Sequence, residues 1–376
     1  MRRFSRHLPW LLVLATALVA VLYRHTSAVG EKDVSEVVEQ YCKQLRANSP
    51  KTRLQAAKGL GMLRHKAKDA APFLINALSD EEFDVADAAA RSLGRIGPAA
   101  LPYLRDALDN KFGTVRLGAA EALGDIGPEA KESIPKLRAL MMNDDKSGKS
   151  AAWALARIGG DAQPVLLAAL KEPDPAVRYR AAYALGDLRD RPKEAAKALA
   201  SVLEDPNGQV RKAAVRALIW YGPKAEDVVP LLVAALANPD LHVEAAQALA
   251  RSGPKAVEPL TAALQHADPA VRAGAAEALT YMGPHAPRRL ALSQAEPAPQ
   301  VALKGVVAPL TQALGDREAR VRKAAAEALG AIGPDAKAAV QPLVAALKDQ
   351  DEGVRTQAAQ ALKQIDPATA KQAGVP

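Results

Sequence analysis

The chain has 376 residues, of which 4% are aromatic and one is cysteine, and it carries a formal charge of +8. A lone Cys42 excludes an intramolecular disulfide and a zinc site built on several cysteines. Four of the excess positive charges, Arg2, Arg3, Arg6 and Arg24, fall in an acid-free N-terminal stretch, and the remaining +4 is too thin for the basic face that binding to a nucleic-acid backbone demands.

Residues 1–28 read as a signal peptide or signal anchor. Arg2, Arg3 and Arg6 precede an apolar run from Leu8 to Leu22, and a short polar segment ends in Thr26-Ser27-Ala28. The run is shorter than the roughly 20 residues of a spanning helix, which favours cleavage. Trp10, Tyr23 and Arg24 at its ends suit an anchor over residues 8–23. Both readings predict export, to the periplasm or the outside of the cell, with the membrane touched only through this segment. Residues 29–47 follow as an amphipathic helix with Val34, Val37, Val38, Tyr41 and Leu45 on its apolar side, placed to cap what comes next.

From residue 48 to 365 one phrase recurs. Its final Leu stands at Leu60, Leu93, Leu123, Leu155, Leu185, Leu218, Leu249, Leu279, Leu329 and Leu362, at spacings of 30 to 33 residues with one of 50. Such a period means stacked units, each too small to bury an apolar face alone. The copy at Asp174 to Leu188 shows the pattern: Asp174 caps, Pro175 opens the helix, and Val177, Ala181, Ala182, Leu185 and Leu188 form one stripe. Paired alanines, as at Ala56-Ala57 and Ala119-Ala120, allow neighbouring helices to approach. Gly-Pro, as at Gly97-Pro98, Gly283-Pro284 and Gly333-Pro334, ends the first helix by a left-handed glycine. A second apolar helix then starts with Pro in its first turn. The 50-residue step predicts an insertion at about 285–304, and residues 366–376 are predicted to fray.

The run Val-Arg-x-x-Ala-Ala-x-Ala-Leu-Gly-x-Ile-Gly at Val115 to Gly127 resembles the HEAT-repeat family, and within it the HEAT-like repeats of the phycobilisome lyase type. The resemblance implies an all-α chain, a right-handed α-solenoid of stacked antiparallel helix pairs with about nine full repeats and a terminal half repeat. It implies a protein-binding scaffold without catalysis, here at the cell envelope, with a protein as partner and the chain a monomer. The alternative it offers is a lyase or chaperone for a tetrapyrrole-bearing protein. Its di-iron hydroxylase relatives place His-Glu at the Arg position of the motif, but here that register holds only His242, followed by Val243, with Glu244 one residue late. No catalytic residue, metal or cofactor is therefore expected.

Two sets of residues stand out. Arg53, Arg116, Arg178, Arg211, Arg272, Arg322 and Arg355 follow the motif Val, and an acid four residues earlier in several copies, such as Asp174 before Arg178, predicts a structural pair on the same helix. On the polar side, two residues either side of the motif Leu, most copies carry charge, whereas Trp153, Tyr183, Trp220 and Tyr281 are aromatic, with Arg157 and Arg216 beside them. Exposed aromatics next to Arg are the composition of binding hot spots, so these six residues are the candidate partner surface.

Overall fold

In the computed structural model, residues 31–286 apart from 145, and residues 303–375, are described. Residues 1–28 and most of the insertion lie outside them. The described residues hold helices and no strand. After α1 (Glu31–Gln44), the first helices of the repeats are α2 (Pro50–Leu63), α4 (Phe83–Ile96), α6 (Gly113–Ile126), α8 (Gly148–Ile158), α10 (Pro175–Gly186), α12 (Gly208–Tyr221), α14 (His242–Arg251), α16 (Pro269–Met282), α18 (Ala319–Ile332) and α20 (Glu352–Ile365). The second helices are α3 (Ala71–Ala77), α5 (Leu101–Ala107), α7 (Ile134–Asn143), α9 (Gln163–Ala169), α11 (Lys193–Ala200), α13 (Val229–Ala235), α15 (Val257–Ala263), α17 (Val307–Ala313) and α19 (Val340–Ala346), and α21 (Pro367–Gln372) ends the chain. This is an α-solenoid. The chain divides within α8 into two compact units, up to Ala154 and from Leu155.

The cores are built of Ala and Leu. Val177, Ala181, Ala182, Leu185 and Leu188 are all buried, as the spacing predicts. First helices stand side by side at close range because one position stays small: a β-carbon on Gly186 of α10 would lie 3.1 Å from the Ala217 backbone of α12. In α1 the buried stripe is Val38, Cys42 and Leu45, while Val37 is exposed, so the packed face is rotated from the predicted one.

The turn between the two helices differs in detail from the left-handed stop. Gly97, Gly127, Gly159, Gly222 and Gly333 have φ of 52 to 88° but ψ of −128 to −146°. That is the mirror image of an extended strand, open to Gly almost alone. Most of these turns run through a 3₁₀ segment before the second helix begins. Gly283 is the exception: it is extended, with φ −71° and ψ 144°, at the repeat that carries the insertion. Arg64 occupies the Gly-only region in the first repeat, with φ 52° and ψ −135°. At the other terminus the chain does not fray at once, since Asp366 caps Thr369 of α21 and Ala370 is buried.

The arginine series forms cross-links between repeats. Arg178 directs Nε and Nη2 at the two oxygens of Asp205, in the loop before α12, at 2.7 and 2.9 Å. Its Nη1 meanwhile donates to the carbonyls of Glu172 and Pro173. Asp205 also accepts from the Asn207 amide, so one carboxylate shapes the loop that leads into α12 and grips α10. The same fork joins Arg53 to Asp80, Arg272 to Asp316 and Arg322 to Asp349, and Arg116 reaches Asp144 from Nε at 2.6 Å. Arg355 of the last repeat keeps only the carbonyl contacts, to Asp349 and Gln350. The predicted pairing with the acid four residues earlier is thus corrected. Asp174 is occupied by the Ala176 amide at its own N-cap, and the Arg side chain runs back toward the N-terminus, past that acid and into the next loop.

These carboxylates titrate below the ordinary range. For Asp205 and Asp349 the arginine hydrogen bond is the main cause; for Asp80, Asp144 and Asp316 burial pushes upward but arginine and backbone amides together outweigh it. A carboxyl whose folded pKa is depressed stabilises the fold above its unfolded pKa and loses that contribution as pH falls through the folded value. The melting temperature is therefore expected to be flat from neutral pH to about pH 5 and to fall below about pH 4, which thermal unfolding monitored by circular dichroism checks. Asp205→Asn should cost about 2 kcal/mol, since it removes a charge-assisted bidentate contact. Arg64→Gly should raise stability by about 1 kcal/mol by releasing backbone strain; denaturant titration measures both.

Candidate functional site

The candidate surface is the outward side of the first helices, where the positions flanking the motif Leu emerge. In the unit up to Ala154, Trp153 does not stand free. It is half-buried, and a β-carbon on Gly124 would come within 2.7 Å of its ring atom Cε3, so the indole lies over a helix whose glycine makes room for it. Trp153 therefore acts in packing between α6 and α8.

In the unit from Leu155 the aromatics have different surroundings. Arg157 is half-buried. Tyr183 on α10 is 42% exposed and stacks on Tyr179 one turn earlier, with ring centroids 6.5 Å apart. Trp220, at the end of α12, is likewise 42% exposed, while its neighbour Tyr221 points inward and donates from its buried hydroxyl to the Leu185 carbonyl at 2.9 Å. Tyr281 on α16 is half-buried, and burial pushes its hydroxyl above the usual tyrosine range despite a hydrogen bond with Gln247. The polar side of the first helices is thus only partly a water-facing surface.

Trp220 borders an apolar groove on this face. The groove runs between α12 and α14, has a volume of about 330 Å³, and is lined by Arg216, Ile219, Trp220, Val243, Glu244 and Gln247. Arg216 spans it, donating from Nη2 and Nε to Glu244 at 3.0 and 3.2 Å. Arg251 ties its far end by donating from Nε to the Ile219 carbonyl. The rim charges satisfy each other, and the interior offers an indole ring and the exposed Val243. Val243 was not among the residues singled out from sequence. The repeat gave no signal for it, since the same column also holds Leu54, Leu117 and Ala273 in other copies.

His242, in the register where a di-iron site would place a ligand, sets Nδ1 3.0 Å from the Pro239 carbonyl. Among the described residues no group of three or more His, Cys, Asp or Glu is arranged to hold a metal ion, and no helix is long and apolar enough to cross a membrane.

The HEAT-repeat family profile matches residues 38–116, 98–156, 163–243, 229–302 and 286–363, and the profile of the PBS lyase HEAT-like repeat matches residues 149–172. The architecture is that of an α-solenoid built of helix pairs. The chain belongs to the HEAT-repeat family. No curated protein matches the sequence. Among solved structures, yeast importin-beta (Kap95p) overlays with a TM-score of 0.53 at 16% identity, over 91% of this chain and 53% of that one. The Kap95:Nup1 complex gives a TM-score of 0.55 at 15% identity, over 92% and 54%. The chain thus spans about half the length of these importins. The CpcE–CpcF complex of the Nostoc phycocyanin lyase is 24% identical over 64% of this chain and 92% of that one, with a TM-score of only 0.34.

Replacement of Trp220 by Ala is expected to leave stability within about 0.5 kcal/mol, as for other exposed sites. Tyr221→Phe should cost about 1 kcal/mol by removing the buried hydrogen bond from the hydroxyl to the Leu185 carbonyl. Thermal melts of the two single variants distinguish the outward ring from the inward one.

Proposed function

We propose that this chain is a non-catalytic scaffold that binds another protein, and that it acts at the cell envelope as an exported or membrane-anchored protein. The observation that carries the binding reading is the groove between α12 and α14. An exposed Trp and Val there lie side by side between charges that are already paired, so an apolar side chain can enter without stripping water from an unpaired ion. The related Kap95:Nup1 structure is of a HEAT solenoid in complex with a protein, which supports a protein as the ligand class. Export rests on the N-terminal pattern of Arg2, Arg3 and Arg6 before the apolar run Leu8 to Leu22.

The surface residues divide into two roles. Trp220, Tyr183 and Arg216 contact the partner, whereas Trp153 and Tyr281 pack within their own neighbourhoods of the stack. The test places a photo-crosslinking residue at position 216 of the full chain in its native cell envelope. One protein partner is expected to be trapped, and the double variant Tyr183→Ala, Trp220→Ala should lose it while melting within about 3 °C of the wild type, the range for a small change in a chain of this size. Loss of capture together with unfolding, or undiminished capture by the double variant, would contradict the reading. Cell fractionation with N-terminal sequencing of the mature chain checks the location.

A further inference from the structure

The fork arginine is replaced singly at Ala86 and at Gly148, but next to α14 two successive forks are missing. In an intact fork the residue two positions beyond the last Leu of a second helix is Asp: Asp205 after Leu203, Asp316 after Leu314, Asp349 after Leu347. After Leu236 that residue is Asn238, so the carboxylate that should receive Arg211 is absent. Arg211 keeps its carbonyl contacts to Asp205 and Pro206, but its Nε is buried without a hydrogen-bond partner. Its Nη2 reaches only the exposed Asp240, at 3.4 Å.

The following link is missing from both sides. His242 replaces the arginine on α14, and His266 replaces the aspartate before α16. Each substitute performs the local half of the task and drops the cross-link. His242 takes a carbonyl of its own loop, at Pro239; His266 Nδ1 accepts from the Asp268 amide at 3.1 Å; Asn238 Oδ1 accepts from the Asp240 amide at 2.9 Å. The turns are therefore well formed while the forks between repeats are gone. Among the described residues from Leu155 onward, α13 and α14 make up the helix pair with no bidentate Arg–Asp link on either side.

What holds α14 sits elsewhere along its length. Arg216 grips Glu244, and Arg251, in its last turn, binds the Ile219 carbonyl. α14 is thus tied to α12 by side chains in its first and last turns but by no fork, and at 10 residues it is shorter than the 14-residue α12 and α16 on its two sides. We infer that the α13–α14 pair is a built-in opening point of the solenoid: lacking a fork on either side, it detaches locally while the repeats before and after it stay closed. Local opening of a cooperative unit below the global unfolding free energy is a general property of stacked repeats, and the weakest interface sets where it happens.

Native-state amide hydrogen exchange on the full chain tests this. Amides of α13 and α14 should exchange at least tenfold faster than those of α16 and α18, in a unit bounded by the loops at 222–228 and 252–256. Asn238→Asp should restore the fork to Arg211 and slow that exchange about tenfold, leaving α18 unchanged. The carboxylate can keep the turn, since Asp205 and Asp316 accept the equivalent amide in their own loops. As an independent arm, Asp205→Asn breaks an intact fork and should bring α12 toward the exchange rate of α14. Equal protection of α14 and α16 in the wild type, or no slowing in Asn238→Asp, overturns the inference.

Discussion

A helix pair of some thirty residues in this chain has no interior of its own. Its alanines and leucines are buried only because another pair lies against them on each side, and everything else in the structure serves that contact. Small residues at the helix crossings decide how close neighbours come, as at Gly186 facing Ala217. The Gly-Pro turns reverse the chain in the shortest space that the backbone allows. The Arg–Asp forks then fix the angle and register of one pair on the next with a geometry that apolar packing does not supply, since the planar guanidinium meets both carboxylate oxygens at once.

The same economy explains why function is confined to exceptions. A residue that repeats is needed by the stack; a residue that departs from the repeat is free to do something else. Trp220 stands where several copies carry charge, and the groove that it shares with Val243 crosses the seam at which the forks are missing. A ligand seated there would touch α12 and α14 together and so would bridge the weakest junction of its unit. The proposed recognition and the inferred opening would thus share one place in the fold.

Much of the architecture was legible in the sequence because it depends on local periodicity. The ten Leu positions, the buried stripe from Val177 to Leu188, the Asp174 cap and the prolines that open second helices are all read within one repeat. What was not legible depends on contacts between repeats. Arg178 looks like the partner of Asp174 on a helical wheel, yet it bonds Asp205, twenty-seven residues on, because only the stacked geometry brings that loop within reach. Trp153 packs over Gly124 of the preceding first helix while Trp220 stays exposed, a difference that spacing within one repeat does not show. The ψ of the turn glycines and the rotated face of α1 likewise follow from neighbours rather than from spacing.

The account rests on the forks as the bonds between repeats, and a pair of double-mutant cycles measures this most directly. Arg178 is coupled to Asp205 in one cycle and to Asp174 in the other, with stability read by denaturant unfolding. The coupling to Asp205 should be about 1–2 kcal/mol and that to Asp174 near zero. A coupling to Asp174 as large as that to Asp205, or no coupling in either cycle, would show that the arginines act within their own helices and that packing alone joins the repeats.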